Sequence, residues 1–286
     1  MKVTLKAFAK LNLTLDITGL AKNGYHLIET VFQSVSLFDT VSVSNDTDII
    51  NVLCGKNLSG EQNICFSAAK AFFERTGIRG GANIKVEKNI PLSAGLAGGS
   101  ADAAAVLRGL NHIYAYPLSD DELSALAAKI GADVPFCLFG GTMLASGIGE
   151  KLSRLKSCPE CDIVVIKQGQ KPSTGELYKK MDSLKEYKRP NTSKMCDALA
   201  KNDLGAVCEN VCNVFEAAWG ENIAQQKRTL LDMGALCTQL SGSGPSVFGI
   251  FESGKGSLAA EKLCRQFEYV SLCTPTNCGC KIIKTE

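Results

Sequence analysis

The sequence predicts an α+β fold made of two domains. A chain of 286 residues, 45% of them hydrophobic and 21% charged, is long enough to build two domains with separate cores. Alternating strand patterns open the first half and amphipathic helices follow them, whereas strands and helices alternate along the second half. The composition changes around residues 157–160. We therefore predict an N-terminal domain over residues 1–156 and a C-terminal domain over residues 157–286.

The first strands are predicted from the alternation of apolar and polar residues. Val3–Ile17 alternates in this way, and a turn signal at Lys22–Gly24 follows it. Leu37–Val43 is a second alternating stretch, and Asn83–Val86 is a third that leads into a glycine-rich loop. The first half therefore starts as β-structure.

Three helices are predicted in the first half from apolar residues at helical spacing. The first covers Asn63–Thr76, and the second covers Ser100–Tyr114, with Asp102 in its first turn, where a negative charge suits the helix dipole. Ser119 and Glu122 have the spacing of a capping box, so we expect a third helix over the residues that follow.

Strand and helix patterns alternate in the second half, which is typical of helices packed on one sheet. The predicted strands are Asp162–Ile166, Cys237–Leu240 and Val247–Phe251, and the predicted helices are Lys194–Leu204, Ile223–Met233 and Leu258–Phe267. The sequence has no internal repeat, low-complexity tract or coiled-coil heptad, which argues against a scaffold protein and favours an enzyme.

The composition favours a small molecule as the partner. The formal net charge is +2, so the chain has no basic excess that would attract nucleic acid or an anionic membrane. Lysines interrupt residues 1–16, which do not resemble a signal peptide, and Asp133, Pro135 and several glycines interrupt the apolar stretch 130–149. We expect a cytoplasmic protein without nucleic-acid or membrane partners.

Thirteen cysteines are an odd and scattered set, which favours free thiols in a reducing cytoplasm over a disulfide framework. Cys158 and Cys161 have the C-x-x-C spacing of half a zinc site, and Cys273, Cys278 and Cys280 form a second cluster. A zinc-binding module is therefore an alternative function. We predict no metal site in the protein, because buried free cysteine commonly packs as a small hydrophobic residue.

A glycine-rich loop that runs into an alanine-rich helix is the strongest functional signal. Glycines let the backbone approach a bulky anion, and the free N–H groups of the first helical turn attract it. The loop lacks the lysine of a Walker A loop and the spacing of a dinucleotide fold. A structural strand-to-helix turn is the alternative. The predicted nucleotide-binding residues here are Pro91, Leu92, Ser93, Ala94, Gly95, Leu96, Ala97, Gly98, Gly99, Ser100 and Ala101.

Three motifs together resemble the GHMP kinase superfamily of small-molecule kinases. They are Ala9–Leu13, Pro91–Ala105 and Leu240–Phe248, in that order along the chain. The resemblance covers essentially the whole chain. It implies a two-domain α+β fold with an N-terminal α/β sandwich and a C-terminal ferredoxin-like domain.

Further stretches resemble one branch of that superfamily. Gly24–His26, Val31–Gln33, Asp39–Thr40 and Gly131–Phe136 are similar to the enzymes that use ATP with Mg²⁺ to phosphorylate the 2-hydroxyl of 4-diphosphocytidyl-2-C-methyl-D-erythritol. This reaction belongs to the non-mevalonate pathway to isoprenoid precursors. The alternatives are another GHMP kinase, of the homoserine or mevalonate type, and a non-catalytic nucleotide-binding protein of the same fold.

Lys10 and Asp133 match the catalytic pair of the superfamily. Asp133 is the one carboxylate in the apolar stretch Ile130–Phe139, and a buried carboxylate needs a cationic partner, which Lys10 would supply. By the resemblance, the pair orients the acceptor hydroxyl and takes its proton. A buried ion pair that only stabilises the fold is the alternative, and the intact pair argues against a non-catalytic protein.

A cytosine-containing acceptor requires a flat ring that stacks on the base and polar groups that read its edge. The resemblance assigns stacking to Tyr25 and hydrogen bonding to His26, with Tyr178 as the second ring and Thr174 as a further substrate contact. Asn12 lies on the same strand face as the catalytic lysine and is expected to contact substrate. The alternative for Tyr25 and His26 is a surface turn without a binding role. If the two residues do bind a base, they argue against a GHMP kinase whose substrate contains no nucleotide.

Two more segments are predicted to contact the nucleotide. Asn63 matches a position at the adenine end of the family's site, although a helix N-cap explains it equally well. The small residues Ser241, Gly242, Ser243 and Gly244 would let the backbone of the second domain approach the transferred phosphate, or would form a plain β-turn.

The glycine-rich loop departs from the family pattern at two positions. Family members often have glycine where this chain has Ala97, and a second serine where it has Ala101. A hydroxyl contact to phosphate or magnesium is therefore expected to come from Ser100.

Overall fold

Two β-sheets and their helices make up the computed structural model, which describes residues 1–55, 58–170 and 172–286. The strands are β1 (Lys2–Leu20), β2 (His26–Ser44), β3 (Ile50–Leu53), β4 (Ala82–Glu87), β5 (Thr142–Ser146), β6 (Lys151–Arg154), β7 (Asp162–Lys167), β8 (Cys212–Asn213), β9 (Cys237–Leu240), β10 (Val247–Phe251), β11 (Tyr269–Cys273) and β12 (Cys280–Thr285). The helices are α1 (Ile64–Thr76), α2 (Gly98–Ile113), α3 (Asp120–Ile130), α4 (Val134–Phe139), α5 (Thr174–Ser183), α6 (Thr192–Lys201), α7 (Leu204–Asn210), α8 (Glu221–Asp232) and α9 (Gly256–Leu263), with a 3₁₀ helix at Val214–Ala218.

The larger sheet carries the N-terminal half of the candidate site. Its order is β12-β1-β2-β4-β3, with β5 and β6 continuing from β2 and with β8 parallel to β1. α2 packs on β1 and β2, while α1 and α4 pack against α2. Large buried side chains such as Phe32, Phe72 and Phe136 fill the layer between sheet and helices. This layer confirms the N-terminal α/β sandwich.

The smaller sheet has the order β11-β7-β10-β9, with every neighbouring pair antiparallel. Numbered along the chain, its strands are arranged 4-1-3-2. Helices occupy the first and last connections, α5 to α8 between β7 and β9, and α9 between β10 and β11. This is the βαββαβ arrangement of a ferredoxin-like domain, and it confirms the predicted C-terminal architecture.

The boundary predicted at residue 156 falls in the connection between β6 and β7. Residues 280–285 do not join the smaller sheet, since β12 pairs with β1 across Val3–Ala7. The last strand of the predicted second domain is therefore part of the larger sheet. The division of the chain itself stays a prediction.

Most predicted elements are present, but β2 is much longer than the predicted strand Leu37–Val43. It begins at His26, and residues 30–35 are buried on both faces. A strand buried on both faces lacks polar alternation, so the pattern did not indicate its first half.

Two helix predictions need correction. α2 begins at Gly98 instead of Ser100, so Asp102 lies beyond the first turn and its charge is not placed at the helix terminus. The predicted helix Lys194–Leu204 is interrupted at Asn202, which has a φ of +55°. Asp203 then accepts a hydrogen bond from the Ala206 N–H and starts α7 as a separate helix.

Candidate active site

A cavity of about 490 Å³ lies where β1, the glycine-rich loop, the start of α4 and the loop after β9 meet. Predicted site residues that line it are Lys10, Asn12, Pro91, Leu92, Ser93, Ala94, Gly95, Ala97, Gly98, Gly99, Ser100, Asp133, Thr174, Tyr178, Gly242 and Ser243. Predicted residues outside its lining are Tyr25, His26, Asn63, Leu96, Ala101, Ser241 and Gly244. A larger cavity of about 980 Å³ beside β3 and α1 contains none of the predicted residues. The chemistry of the lining, not the volume, identifies the site.

Lys10 is buried, and its ammonium is held by neighbouring side chains. Nζ donates a hydrogen bond to Asn12 Oδ1 at 2.7 Å, and it lies 4.9 Å from the centre of the Phe32 ring. Asn12 Oδ1 also accepts a hydrogen bond from the Gly242 N–H at 2.9 Å. One amide oxygen thus joins the lysine to the loop after β9. This positioning role of Asn12 was not indicated by the sequence.

Asp133 lies at the start of α4, with Oδ2 3.8 Å from Lys10 Nζ. The two residues are brought together as predicted, but the expectation of a buried carboxylate is wrong, because the Asp133 side chain is 33% exposed. The apolar residues that follow it are buried in α4, while the carboxylate itself faces the cavity. Lys10 is therefore the buried residue of the pair, and the partly exposed Asp133 carboxylate is the group that a substrate hydroxyl can reach.

The glycine-rich loop is a tightly bent segment that ends directly in α2. Ser93, Gly95 and Ala97 all have positive φ angles, of +51°, +75° and +57°. The left-handed conformation of Ala97 costs about 1–2 kcal/mol for a residue with a Cβ, which explains why glycine is common at that position. Since α2 starts at Gly98, the unpaired N–H groups of its first turn lie beside the cavity.

The loop after β9 packs closely on the glycine-rich loop. Ser241 Oγ donates to the Gly95 carbonyl at 3.0 Å, and a Cβ added to Gly95 would lie 2.1 Å from the Ser241 carbonyl oxygen. Asn213 Nδ2 donates to the Gly242 carbonyl at 2.8 Å, and Trp219 Nε1 donates to the Ser243 carbonyl at 3.1 Å. Sequence reasoning missed Asn213 and Trp219; only the rarity of tryptophan in the chain was a signal.

A charged cluster missed at the sequence level lies behind the glycine-rich loop. Lys88 Nζ donates to Asp102 Oδ2 at 2.7 Å and also contacts Asp39 Oδ2. Asp39 Oδ1 accepts the N–H groups of Asn89 and Ile90 at 2.6 and 2.8 Å. The helix dipole was expected to stabilise a charge on Asp102, but the carboxyl lies beyond the first turn of α2 and contacts Lys88 instead.

Asp102 is the unusual member of this cluster. Oδ1 is buried and has no hydrogen-bond partner within the described part of the chain. Burial is the main cause that raises the pKa of Asp102 to about 7, with Lys88 opposing this rise and Asp39 adding to it. Burial by itself lowers the pKa of Lys88, but the two carboxylates outweigh it and raise that pKa. Two carboxylates sharing one ammonium favour a proton on Asp102.

Asn63 caps α1, so the structure confirms its N-cap role. Oδ1 accepts the Cys65 N–H at 2.8 Å, and Nδ2 donates to the Leu58 carbonyl at 2.6 Å. Asn63 also lines a second cavity, of about 540 Å³, together with Lys88 and Gly99. Contact between Asn63 and adenine therefore stays a prediction. The cavity that Asn63 lines lies next to the glycine-rich loop.

The aromatic residues predicted to bind the base are grouped differently from the expected sandwich. The His26 ring stacks on Tyr178, with centroids 4.3 Å apart and planes at 16°, and His26 Nε2 lies 2.8 Å from Asp182 Oδ1. Tyr178 packs edge-on against Phe215, while Tyr25 is 62% exposed on the preceding turn. Burial, with a smaller effect of the Asp133 charge, raises the pKa of Tyr178 to about 12.

Thr174 Oγ1 lies 3.3 Å from Ser243 Oγ, which brings α5 next to the loop after β9. All thirteen cysteines are free thiols. Across residues 1–55, 58–170 and 172–286, no group of three or more His, Cys, Asp or Glu side chains is placed to hold a metal ion. In the same residues, no helix is long and apolar enough to cross a membrane.

We expect Gly95→Ala to destabilise the protein, because the new Cβ would clash with the Ser241 carbonyl and would occupy a left-handed conformation. The free energy of unfolding should fall by about 2–4 kcal/mol. Gly99→Ala is the matched control: its Cβ would lie 3.6 Å from Ile64, an ordinary contact, and alanine favours the helix. Urea unfolding of both variants tests this, and equal losses of stability would contradict it.

The raised pKa of Asp102 predicts a pH dependence of stability. Between pH 4 and pH 7 the folded protein keeps a proton that the unfolded chain has lost, so the Asp102 contribution is full at low pH and disappears as pH rises through about 7. Asp102→Asn should therefore lose less stability than wild type between pH 4.5 and 7.5. The exposed Asp121→Asn is the control. Parallel stability curves for wild type and Asp102→Asn would refute the assignment.

Comparison with known proteins places the chain in a family. A model described as "GHMP kinases N terminal domain" matches residues 63–141, and one described as "GHMP kinases C terminal" matches residues 195–268. The chain is 44% identical over 266 residues to a 4-diphosphocytidyl-2-C-methyl-D-erythritol kinase of Caldicellulosiruptor saccharolyticus, covering 91% of this chain and 92% of that protein. It is 40% identical over 279 residues to a kinase of the same name from Acetivibrio thermocellus, covering 96% and 99%.

A solved structure supports the same assignment. The crystal structure of a 4-(cytidine 5'-diphospho)-2C-methyl-D-erythritol kinase superimposes with a TM-score of 0.82 at 31% sequence identity, covering 96% of this chain and 99% of that one. Both sheets are thus part of a shared architecture. The chain belongs to the GHMP kinase family and, within it, to the 4-diphosphocytidyl-2-C-methyl-D-erythritol kinases.

Proposed function

We propose that this protein transfers the terminal phosphoryl group of ATP to the 2-hydroxyl of 4-diphosphocytidyl-2-C-methyl-D-erythritol, a step of the non-mevalonate route to isoprenoid precursors. The observation that carries the proposal is the bridge from Lys10 through Asn12 to Gly242, with Asp133 3.8 Å from the lysine. It holds an ammonium and a carboxylate at the cavity that the glycine-rich loop lines. Family membership narrows the acceptor to the cytidylyl compound.

The glycine-rich loop suits the phosphates of a nucleotide. Gly95 has no room for a side chain beside Ser241, and the first-turn N–H groups of α2 lie at the cavity. Backbone N–H groups and the positive helix end stabilise anionic oxygens without a loop lysine. Gly242 and Ser243 approach from the other side. We assign the triphosphate to this cradle and the adenine to the adjoining cavity at Asn63 and Lys88.

Magnesium accompanies the nucleotide in this proposal. When bound with the nucleotide, Mg²⁺ would supply positive charge against the charge that develops on the phosphates during transfer. The described residues fit a metal held mostly by phosphates and water, since they offer no cluster of carboxylates or histidines at the site. Ser93 and Ser100 are the serines of the loop that line the cavity, and we assign the contact to phosphate or magnesium to Ser100, which lies in the first turn of α2.

Lys10 and Asp133 have different roles toward the acceptor hydroxyl. Asn12 and the Phe32 ring fix the Lys10 ammonium, which can donate a hydrogen bond to the acceptor hydroxyl oxygen. Asp133, one-third exposed, can accept the proton of the same hydroxyl as the oxygen attacks phosphorus. Phosphoryl transfer depends mainly on the positioning of the reactants and on the stabilisation of charge. The Lys10 ammonium, fixed by its neighbours, can provide both.

The acceptor's cytosine is assigned to the turn before β2 and to α5. Tyr25 offers an exposed ring for stacking, and His26 is held between Tyr178 and Asp182. Because Nε2 of His26 faces Asp182, Nδ1 is the nitrogen left to read the edge of the base. Thr174 lies beside Ser243 and lines the cavity together with Tyr178, so it can contact the acceptor.

Asp133→Asn should lower kcat by about 100-fold to 1,000-fold, because the amide cannot take the proton of the hydroxyl in the transition state. KM for ATP should change by less than about threefold, since the nucleotide is held by the opposite wall of the cavity. Asp121→Asn, an exposed carboxylate on α3, is the matched control and should keep wild-type kinetics. Full activity of Asp133→Asn would show that the assignment of the base is wrong.

Purified protein with Mg-ATP should phosphorylate the cytidylyl substrate and should not phosphorylate free methylerythritol or homoserine. In Tyr25→Ala, KM for the cytidylyl substrate should rise about 10-fold to 100-fold, as expected for the loss of an exposed ring that stacks on the base, with kcat changed less. Tyr116→Ala, an exposed ring away from the cavity, is the control. Equal turnover of homoserine would refute the proposed function.

A further inference from the structure

Four of the free thiols form two contacting pairs in the C-terminal half of the protein. Cys158 lies within hydrogen-bonding reach of Cys161, and Cys208 of α7 lies within reach of Cys237 at the start of β9. All four belong to one apolar cluster that also contains Phe248. The arrangement of these described thiols does not fit a metal ion, and the proposed kinase reaction uses none of them.

Cys208 and Cys237 face a cavity. Cys208 and Cys237 line a space of about 560 Å³, and they keep 9% and 8% of their surface exposed. Cys158 and Cys161 line none of the cavities described above. A small reagent can therefore approach the pair on α7 and β9 through this cavity. Exposure alone does not separate the two pairs, because Cys158 also keeps 8% of its surface exposed.

Charges of both signs line the same cavity. The carboxylates are Glu186, Glu209 and Glu216, and the ammonium groups are Lys188 and Lys227. Lys227 is paired with Glu216 at 2.7 Å. A mixed set of charges suits a small molecule that itself carries ammonium and carboxylate groups, such as a peptide disulfide.

The two thiols are chemically unequal. The hydrogen bond from Cys237 lowers the pKa of Cys208, and the same contact, followed by burial, raises the pKa of Cys237. Thiolates are the attacking species in disulfide exchange, so Cys208 is the nucleophile of the pair. A third thiol at the cavity, Cys212, donates weakly to the Lys188 carbonyl, and burial raises its pKa.

We propose that Cys208 and Cys237 form a dithiol site that small-molecule disulfides oxidise to an intramolecular disulfide, with Cys208 as the attacking thiol and Cys237 as the resolving thiol. The Cys208 thiolate attacks one sulfur of the reagent, the S–S bond of the reagent breaks, and one thiolate leaves. That thiolate takes the proton of Cys237. The Cys237 thiolate then attacks Cys208 Sγ and expels the second half of the reagent as a thiolate, which takes up from solvent the proton that Cys208 released when it ionised. The protein loses two electrons and two protons, and the reagent gains them.

The bond would close a loop that supports the candidate active site. Residues 208–237 include Asn213 and Trp219, whose side chains donate to the carbonyls of Gly242 and Ser243. Joining α7 to β9 restricts the unfolded chain and ties these residues to the strand that leads into Ser241. The oxidised protein should therefore unfold at a temperature several degrees higher than the reduced protein.

The experiment uses the full chain, oxidised glutathione as the reagent and rapid alkylation before mass spectrometry. Wild type should yield a peptide pair joined through Cys208 and Cys237, with two hydrogens lost. Cys237→Ser should instead retain one glutathionyl group on Cys208, and Cys208→Ser should show neither product. Dithiothreitol should reverse both the bond and the rise in unfolding temperature.

Cys264→Ser is the matched control, because Cys264 is the exposed thiol of α9's C-terminal end and will react on its own. This variant should still form the bond between Cys208 and Cys237. Modification of Cys264 alone would overturn the proposal, as would a bond between Cys158 and Cys161. A glutathionyl group that stays on Cys208 in the wild type would also overturn it. None of these readouts depends on kinase activity.

Discussion

The side-chain oxygen of Asn12 is the point at which the two halves of the candidate site meet. It accepts one hydrogen bond from the ammonium of Lys10 and another from the backbone of Gly242, while Nδ2 donates to Thr30. These donors are buried, and a buried donor left without its acceptor costs about 1–3 kcal/mol, more for a charged group. The lysine therefore stays at a fixed distance from the loop after β9 only while this oxygen is present. Strand β1, the Lys10 ammonium and the loop after β9 are therefore held together by one amide oxygen.

Among the described residues, the lysine behind the glycine-rich loop is engaged by carboxylates. Lys88, behind the loop, is already shared by Asp39 and Asp102. The positive potential at the cradle comes instead from oriented N–H groups of α2, which need no side-chain reorganisation when an anion binds. Lys10, whose backbone N–H donates to the Leu96 carbonyl of the same loop, brings an ammonium to the cavity beside Asp133.

Sequence patterns predicted the structural features that depend on residues close together in the chain. The capping box of Ser119 and Glu122, the strands β7, β9 and β10 and the helix that follows the glycine-rich loop depend on neighbouring residues. The grouping of His26 with Tyr178 and Asp182 depends on packing between residues more than 150 positions apart. Nothing at short range indicates such contacts. The catalytic pair itself was predicted by resemblance, and the exposure of its carboxylate became apparent only in three dimensions.

The return of β12 to the edge of β1 has a consequence for the way the protein is made. Residues 280–285 pair with residues 3–7 of the strand that carries Lys10. A ribosome releases the N-terminus long before these partners exist, so β1 must wait with one edge unpaired while most of the chain is synthesised. Pairing between such distant segments raises contact order and slows folding, and an open strand edge invites aggregation during the delay. The strand that carries Lys10 is thus completed only by residues that emerge long after it.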